Sequence, residues 1–161
     1  MLEIPDIQII PASINDAKVL RELAASTNID AWSESDYRDE IERTDSVVFV
    51  TSAANTEVIA FILARIVPGI DTGNDAEVYN IAVRKNFQRS GVGSALLGHL
   101  MVELRSVKVQ NVWLEVRESN KNAVNFYENQ GFLPVSTRPN FYSSPVDTAV
   151  VMRLSLTEDF S

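Results

Sequence analysis

The sequence predicts a single mixed α/β domain, and three observations carry that reading. The first is the passage from residues 77–83 into residues 88–94. There an alternating strand pattern gives way to a glycine-bearing turn and then to helical spacing. The second is the order of the remaining segments, in which β-branched runs interleave with stretches that begin on helix caps. The third is size: residues 1–161 contain no repeat, low-complexity tract or linker, and suit one domain with one core.

Taken in order, residues 8–10 read as a first strand. Ser13 with Asp16 forms a capping pattern, and Ala17, Leu20, Leu23 and Ala24 give the helix behind it an apolar side. Ser33 and Asp36 repeat the pattern for a second helix reaching about residue 43, across a polar loop of residues 26–32 that carries Trp32. Residues 46–52 and 58–67 are apolar, β-branched runs around Ala53, Ala54, Asn55 and Thr56, which predicts an antiparallel hairpin. Residues 68–75 are read as a loop into the central strand, where Val78, Asn80 and Ala82 alternate with Tyr79, Ile81 and Val83. From Val92 the spacing Val92, Leu96, Leu100, Leu104 sets a helix to about residue 107. In residues 112–117, another strand, Val112, Leu114 and Val116 face one way and Trp113, Glu115 and Arg117 the other. Ser119 and Asn120 open a helix bearing Ala123, Val124, Phe126 and Tyr127, which ends at Gly131 where a left-handed cap is needed. Residues 132–136 and 148–154 are closing strands, joined by a loop with Pro139, Phe141, Tyr142 and Pro145. Residues 157–161 read as a loose tail.

Composition narrows the function. No apolar run approaches the roughly 20 residues that span a membrane, and the first ten residues lack the basic region of a secretory signal. There is no cysteine, which excludes disulfides, zinc–thiolate sites and a cysteine nucleophile, and fits a cytoplasmic address. With one histidine, His99, neither a histidine-rich metal site nor a Ser-His-Asp arrangement is expected, and no metal is assigned. Fourteen basic against 22 acidic side chains give a net charge of −8. Such a surface repels nucleic acid and favours cationic partners, amines or basic proteins.

Four features could carry chemistry. Gly91 and Gly93 stand where consecutive N–H groups of a helix start lack partners, and glycine lets a ligand come close. With the positive end of the helix, those donors make an anion site suited to a pyrophosphate; a tight strand-to-helix connection explains the same glycines. Glu115 is a solvent-facing carboxylate on an edge, or an ion-pair partner of Arg117 on its own strand face, or a general base at the mouth of a cleft. Asn120 and Tyr127 lie on one helix face, as a cap and a core tyrosine. Alternatively the phenol serves as an acid toward a departing thiolate, since pKa values of about 10 and about 8.5 allow proton sharing in a dry site. His99 falls near the apolar stripe of its helix and reads as a partly buried neutral histidine. Trp32, Phe141 and Tyr142, assigned to loops, are candidates for binding or for packing over helix ends.

Together these segments resemble the GCN5-related N-acetyltransferase superfamily. The carrying motifs are N-I-A-V at the central strand, Q-R-S-G-V-G-S-A-L-L at the turn, and N-K-N-A-V-N-F-Y-E-N-Q-G-F at the last helix. Gln88, Gly91 and Gly93 meet the superfamily's Gln/Arg-x-x-Gly-x-Gly/Ala pattern, and the likeness covers residues 77–132. Within the superfamily the chain is similar to bacterial ribosomal-protein-alanine N-acetyltransferases of the RimI type. That likeness rests on Trp32-Ser33-Glu34, Asn80-Ile81-Ala82-Val83, Trp113-Leu114-Glu115-Val116-Arg117-x-Ser119-Asn120 and Arg138-x-Asn140-Phe141-Tyr142. Two departures fall in acceptor-facing loops. Ala31 stands where a proline commonly precedes the tryptophan, and the late Arg-Arg-Asn-Tyr-Tyr-Pro pattern is loosened over residues 138–145.

The resemblance implies a mostly antiparallel twisted sheet with helices on both faces and a splayed central strand pair. It implies acetyl-CoA as co-substrate. Ile81, Ala82 and Val83 would hold its acetyl and pantetheine part, while Gln88, Arg89, Ser90, Gly91, Val92, Gly93 and Ser94 hold the pyrophosphate, and Asn120 makes a further contact. Glu115 would be the proton acceptor, through water, and Tyr127 the proton donor, in a direct attack with no covalent enzyme intermediate. A backbone N–H near Val83 would polarise the carbonyl. Trp32, Asn80, Phe141 and Tyr142 would face the acceptor. The implied reaction is acetyl transfer to a primary amine, foremost the N-terminal α-amine of a protein, a basic ribosomal protein among them. A small-amine acetyltransferase acting on polyamines or antibiotics is the second reading. A binding module that senses acetyl-CoA is the third, and the retention of Glu115 and Tyr127 speaks against it.

Overall fold

The computed structural model describes residues 6–27, 32–54, 57–70 and 72–157. The start of the chain, Ala31 and most of the loop before Trp32, Asn55 and Thr56 of the hairpin turn, and the tail beyond Thr157 lie outside the described residues.

The chain runs β1 (Ile7–Pro11), α1 (Ala17–Ser26), α2 (Glu34–Glu42), β2 (Ser46–Ala53), β3 (Val58–Pro68), β4 (Asn74–Val83) and α3 (Val92–Ser106). It continues through β5 (Val109–Arg117), α4 (Lys121–Asn129), β6 (Leu133–Ser143) and β7 (Val146–Ser155). One seven-stranded sheet has the order β1-β2-β3-β4-β5-β7-β6. Every neighbouring pair is antiparallel except β4 with β5. Short 3₁₀ turns, Ile14–Asp16 and Lys85–Phe87, precede α1 and follow β4; the second carries no sequence signal that we read.

Helices cover both faces because the middle strands are apolar on both. In β3, Ala60, Ile62 and Ala64 belong to the core beneath α3, with Leu96, Leu97, Leu100 and Leu104. Phe61 and Leu63, pointing the other way, pack with Leu20, Leu23 and Ala24 of α1 and Tyr37 of α2. Each leucine so buried contributes roughly 1.5–3 kcal/mol relative to exposure. The capping signal of α2 stands as read, while that of Ser13 and Asp16 closes the 3₁₀ turn ahead of α1. Ser33 Oγ accepts from Asp36 N at 3.0 Å, and Asp36 Oδ2 accepts from Ser33 N at 2.9 Å, which holds the Asp36 carboxyl below the usual range.

The sheet opens in its middle. β4 and β5 are paired only near their beginnings, Asn74 with Val109, Ala76 with Val112 and Glu77 with Trp113. Both strands start earlier than the alternation suggests, and the added residues include Asp75, read from sequence as loop. Its buried carboxylate accepts from Trp113 Nε1 at 2.8 Å and from Asn111 N at 3.2 Å, which pins the two strands just below the opening. Beyond Glu77 the pairing stops. There β4 carries an extra residue, Tyr79, against β3, where Leu63 opposes Asn80 and Ala64 opposes Val78.

The segment with Pro139, Phe141, Tyr142 and Pro145 is not a long loop: β6 runs to Ser143 and pairs with β7 up to Ser143 and Val146. Register shifts between Pro134 and Ser136 and between Arg138 and Tyr142 absorb the prolines, and Asn140 sits at φ 56°. β6 is the sheet's outer edge, where a missing donor costs little.

Candidate active site

The wedge between β4 and β5 is the mouth of a cleft of about 800 Å³. On one wall, Arg84 N donates to Ile59 O of β3 at 2.7 Å, so the alternation of ladder groups turns the backbone of Ile81 and Val83 away from β3. Among the described residues no strand pairs with Ile81 or Val83 on the side facing β5. They offer a free edge to an extended, amide-bearing ligand. Gln88 ties this edge to the following turn, its Nε2 donating to Val83 O at 2.9 Å.

The turn then presents donors. Arg89 at φ 61° and Gly91 at φ 91° are both left-handed, and Gly91 is the N-cap of α3 with no side chain capping the helix start. Its φ is one that only glycine adopts without strain. Unfilled N–H groups at this end, with the helix dipole behind them, suit a diphosphate. Gly93 lies where α3 meets α4, and a Cβ there would stand at ordinary contact distance, 3.4 Å, from Phe126 Cζ. Gln130 Nε2 donates to Ser94 Oγ at 2.8 Å and fastens the two helices.

α4 supplies the phenol. Asn120 Oδ1 accepts from Ala123 N at 3.1 Å, which starts the helix as a cap. Gly131 at φ 99° ends it, with Phe132 N donating to Tyr127 O at 3.0 Å. Tyr127 lies between these fixed ends, 9% exposed, against Phe126 and Phe132. Burial first, and the Tyr142 phenol second, hold its hydroxyl well above the usual phenol range, so it stays protonated.

Across the gap, Glu115 projects from β5. Its partner is not Arg117, as the strand spacing suggested, but Arg138 of β6, whose Nη1 donates to Glu115 Oε1 at 2.8 Å. The Glu115 side chain keeps 32% of its surface exposed. Arg117 turns instead to the end of the β6–β7 hairpin, donating to Pro145 O at 2.8 Å. Trp32 closes the far side against Tyr37 and Tyr79. The Tyr79 hydroxyl donates to Glu77 Oε2 at 2.6 Å, and burial with that bond pushes its pKa up to about 12.

Of the residues singled out from sequence, the cleft brings together Trp32, Asn80, Ile81, Ala82, Val83, Gln88, Arg89, Gly91, Gly93, Ser94, Glu115, Asn120, Tyr127 and Tyr142. Three do not line it. Ser90 gives its hydroxyl to Phe87 O, Val92 buries its side chain in the core, and Phe141 lies under the Arg138 guanidinium, 44% exposed. His99 is exposed on α3 with its ring edge-on to Phe49, not partly buried. Sequence reasoning missed Tyr79, Arg117, Asn122, Ala123 and Phe126, which also line the cleft. The α4 residues carried a usable signal, because Asn120, Ala123 and Tyr127 recur at helical spacing on one side. Among the described residues no three acidic, histidine or cysteine side chains gather as a metal site, and no helix is long and apolar enough to cross a membrane.

A free strand edge, an open helix start, a carboxylate and a buried phenol fit an acyl-carrying ligand with a diphosphate, met by an amine. The [ribosomal protein bS18]-alanine N-acetyltransferase of Escherichia coli K12 is 37% identical over 105 residues, covering 64% of this chain and 68% of that enzyme. The crystal structure of the ribosomal-protein-S18-alanine N-acetyltransferase from Escherichia coli superposes with a TM-score of 0.82 at 29% identity, covering 96% of this chain and 98% of that one. Arabidopsis thaliana NAA60 in complex with acetyl-CoA shares the fold, with a TM-score of 0.85 at 16% identity over 93% of this chain and 98% of that one. Residues 17–132 match the acetyltransferase (GNAT) family, and the chain belongs to it.

Proposed function

We propose that this chain transfers the acetyl group of acetyl-CoA to the N-terminal α-amine of a protein, and that the protein is a basic one such as a ribosomal protein. The observation that carries the reading is the opening between β4 and β5, with an uncapped helix start at one end and Glu115 and Tyr127 on its walls. Acetyl-CoA supplies an acetyl thioester whose leaving group is a thiolate. The N–H of Val83, at the free edge, is the donor placed to meet the thioester oxygen. Glu115 accepts the ammonium proton, directly or through water, while Arg138 occupies one of its oxygens. An α-amine with a pKa of about 8 needs less help from one exposed carboxylate than a lysine at about 10.4. Tyr127 delivers its proton to the coenzyme sulfur. Its raised pKa keeps that proton in place until a thiolate forms beside it, and the same dry surroundings raise the thiolate's own demand for a proton.

The acceptor class draws support from the charge of −8, which favours a cationic chain approaching the mouth, and from the alanine N-acetyltransferase relative. We place the protein in the cytoplasm, a reading that the absence of cysteine supports. The test incubates the chain with acetyl-CoA and three acceptors: an alanine-starting basic peptide, the same peptide blocked at its N-terminus but bearing lysine, and a polyamine. Mass spectrometry should find acetyl only on the free N-terminus. Acetylation of the polyamine alone would move the function to small amines, and coenzyme binding with no transfer to any acceptor would make the chain a sensor. Glu115→Gln should be least damaging at high pH, where the amine is already neutral; an unchanged pH profile removes the base role.

A further inference from the structure

Arg117 ends β5 at the cleft, 25% exposed, and spends its guanidinium entirely on the β6–β7 hairpin. Nη1 donates to Pro145 O at 2.8 Å and Nη2 to Ser144 O at 3.4 Å. The plane of the group lies over the Tyr142 ring, 4.2 Å from its centroid, and Asp147 stands 3.8 Å away. Asp147 accepts from Ser119 Oγ, the residue before the cap of α4. The turn, the end of β5 and the start of α4 therefore meet in one joint. Tyr142 at this joint and Tyr127 farther along α4 both line the cleft.

The hairpin itself does not depend on this joint. Its ladder runs to Ser143 and Val146, Arg117 pairs with Ala149 through the backbone, and Glu118 N donates to Thr148 O at 2.9 Å. What the guanidinium adds is the position of the tip. Only a planar cation can stack on a phenol ring while giving parallel hydrogen bonds to two successive carbonyls; an ammonium keeps the charge and loses the geometry.

We infer that Arg117 is a positioning residue, which sets the acceptor wall of the cleft by fixing the Ser144–Pro145 turn and the ring of Tyr142. The inference rests on the acetyl-transfer reading for its effect on turnover, but its structural half stands apart from that reading. Variants Arg117→Lys, Arg117→Met, Tyr142→Ala and the double Arg117→Met/Tyr142→Ala are assayed for thiol release with an alanine-starting basic peptide. Acetyl-CoA affinity is measured by calorimetry, and hydrogen exchange of residues 142–147 by mass spectrometry.

Expected is a rise in peptide KM of ~10- to 100-fold in both Arg117 variants, lysine included, with the acetyl-CoA Kd changed less than about threefold. Tyr142→Ala should resemble Arg117→Met, the double variant should be little worse than either, and exchange in the turn should quicken. A wild-type KM in Arg117→Met, full rescue by lysine, or additive losses in the double variant would each overturn the inference. Should the unaltered chain transfer acetyl to no peptide, the functional reading falls. Exchange then decides alone: a turn equally protected with and without Arg117 overturns the positioning role, and a loosened one upholds it.

Discussion

Two helices start at the same cleft and start differently. α4 opens on Asn120, whose side chain fills the Ala123 donor. α3 opens on a left-handed glycine, and among the described residues no side chain caps its start. α2, outside the cleft, is closed more fully still, by the reciprocal bonds of Ser33 and Asp36. A capped start spends its donors on its own chain and gains stability; an open start leaves them to a ligand. The difference separates two tasks. On the proposed reading, α3 grips the coenzyme, and α4, capped at both ends, aims a side chain.

That division can be broken from either side. The largest effect should come from the aimed group: Tyr127→Phe is expected to cut turnover roughly 100-fold or more, with acetyl-CoA affinity changed less than about threefold in calorimetry. Equal turnover would remove the phenol from the chemistry. Next is the grip. Gly91→Val puts a β-branched residue at φ 91°, which costs about 1–2 kcal/mol of backbone strain and should weaken acetyl-CoA about tenfold or more through the displaced turn. Unimpaired coenzyme binding by a folded Gly91→Val chain would show that the turn holds nothing. Asn120→Ala removes a cap and should lower stability by about 1 kcal/mol in denaturant unfolding, while weakening the coenzyme less than Gly91→Val does. The smallest effect is that of Gly93→Ala: its Cβ meets the tip of Phe126 at ordinary contact distance, so a small rearrangement of that ring suffices. Thermal melting should move by only a degree or two, on the order of a few tenths of a kcal/mol.

Much of this was legible in the residue order because the signals are local. The change of period at Val92, the Ser33–Asp36 box and the cap at Gly131 are each written within a few residues, and each is found where it was read. Residues 132–136 and 148–154 are strands as expected, but the segment between them reads as a loop because Pro139 and Pro145 are turn residues by type; the edge position and two irregularities that accommodate it are properties of the sheet. Among the alternatives the spacing offers for Glu115, the ion pair names the near neighbour Arg117, whereas the partner, Arg138, is 23 positions away. Asp75 looked like a loop aspartate until the pairing of β4 with β5 buried it beneath the indole of Trp113. Long-range partners, not element types, are what the one-dimensional pattern withholds.

The parting of β4 from β5 after Glu77 has a kinetic corollary. With the β4–β5 ladder ending at Glu77 and Tyr79 bulging out of register against β3, the described residues of the two strands share no further ladder pair along the slot. No interstrand bond has to rupture on entry, so coenzyme capture should proceed in one bimolecular step whose observed rate climbs in proportion to concentration, without a plateau.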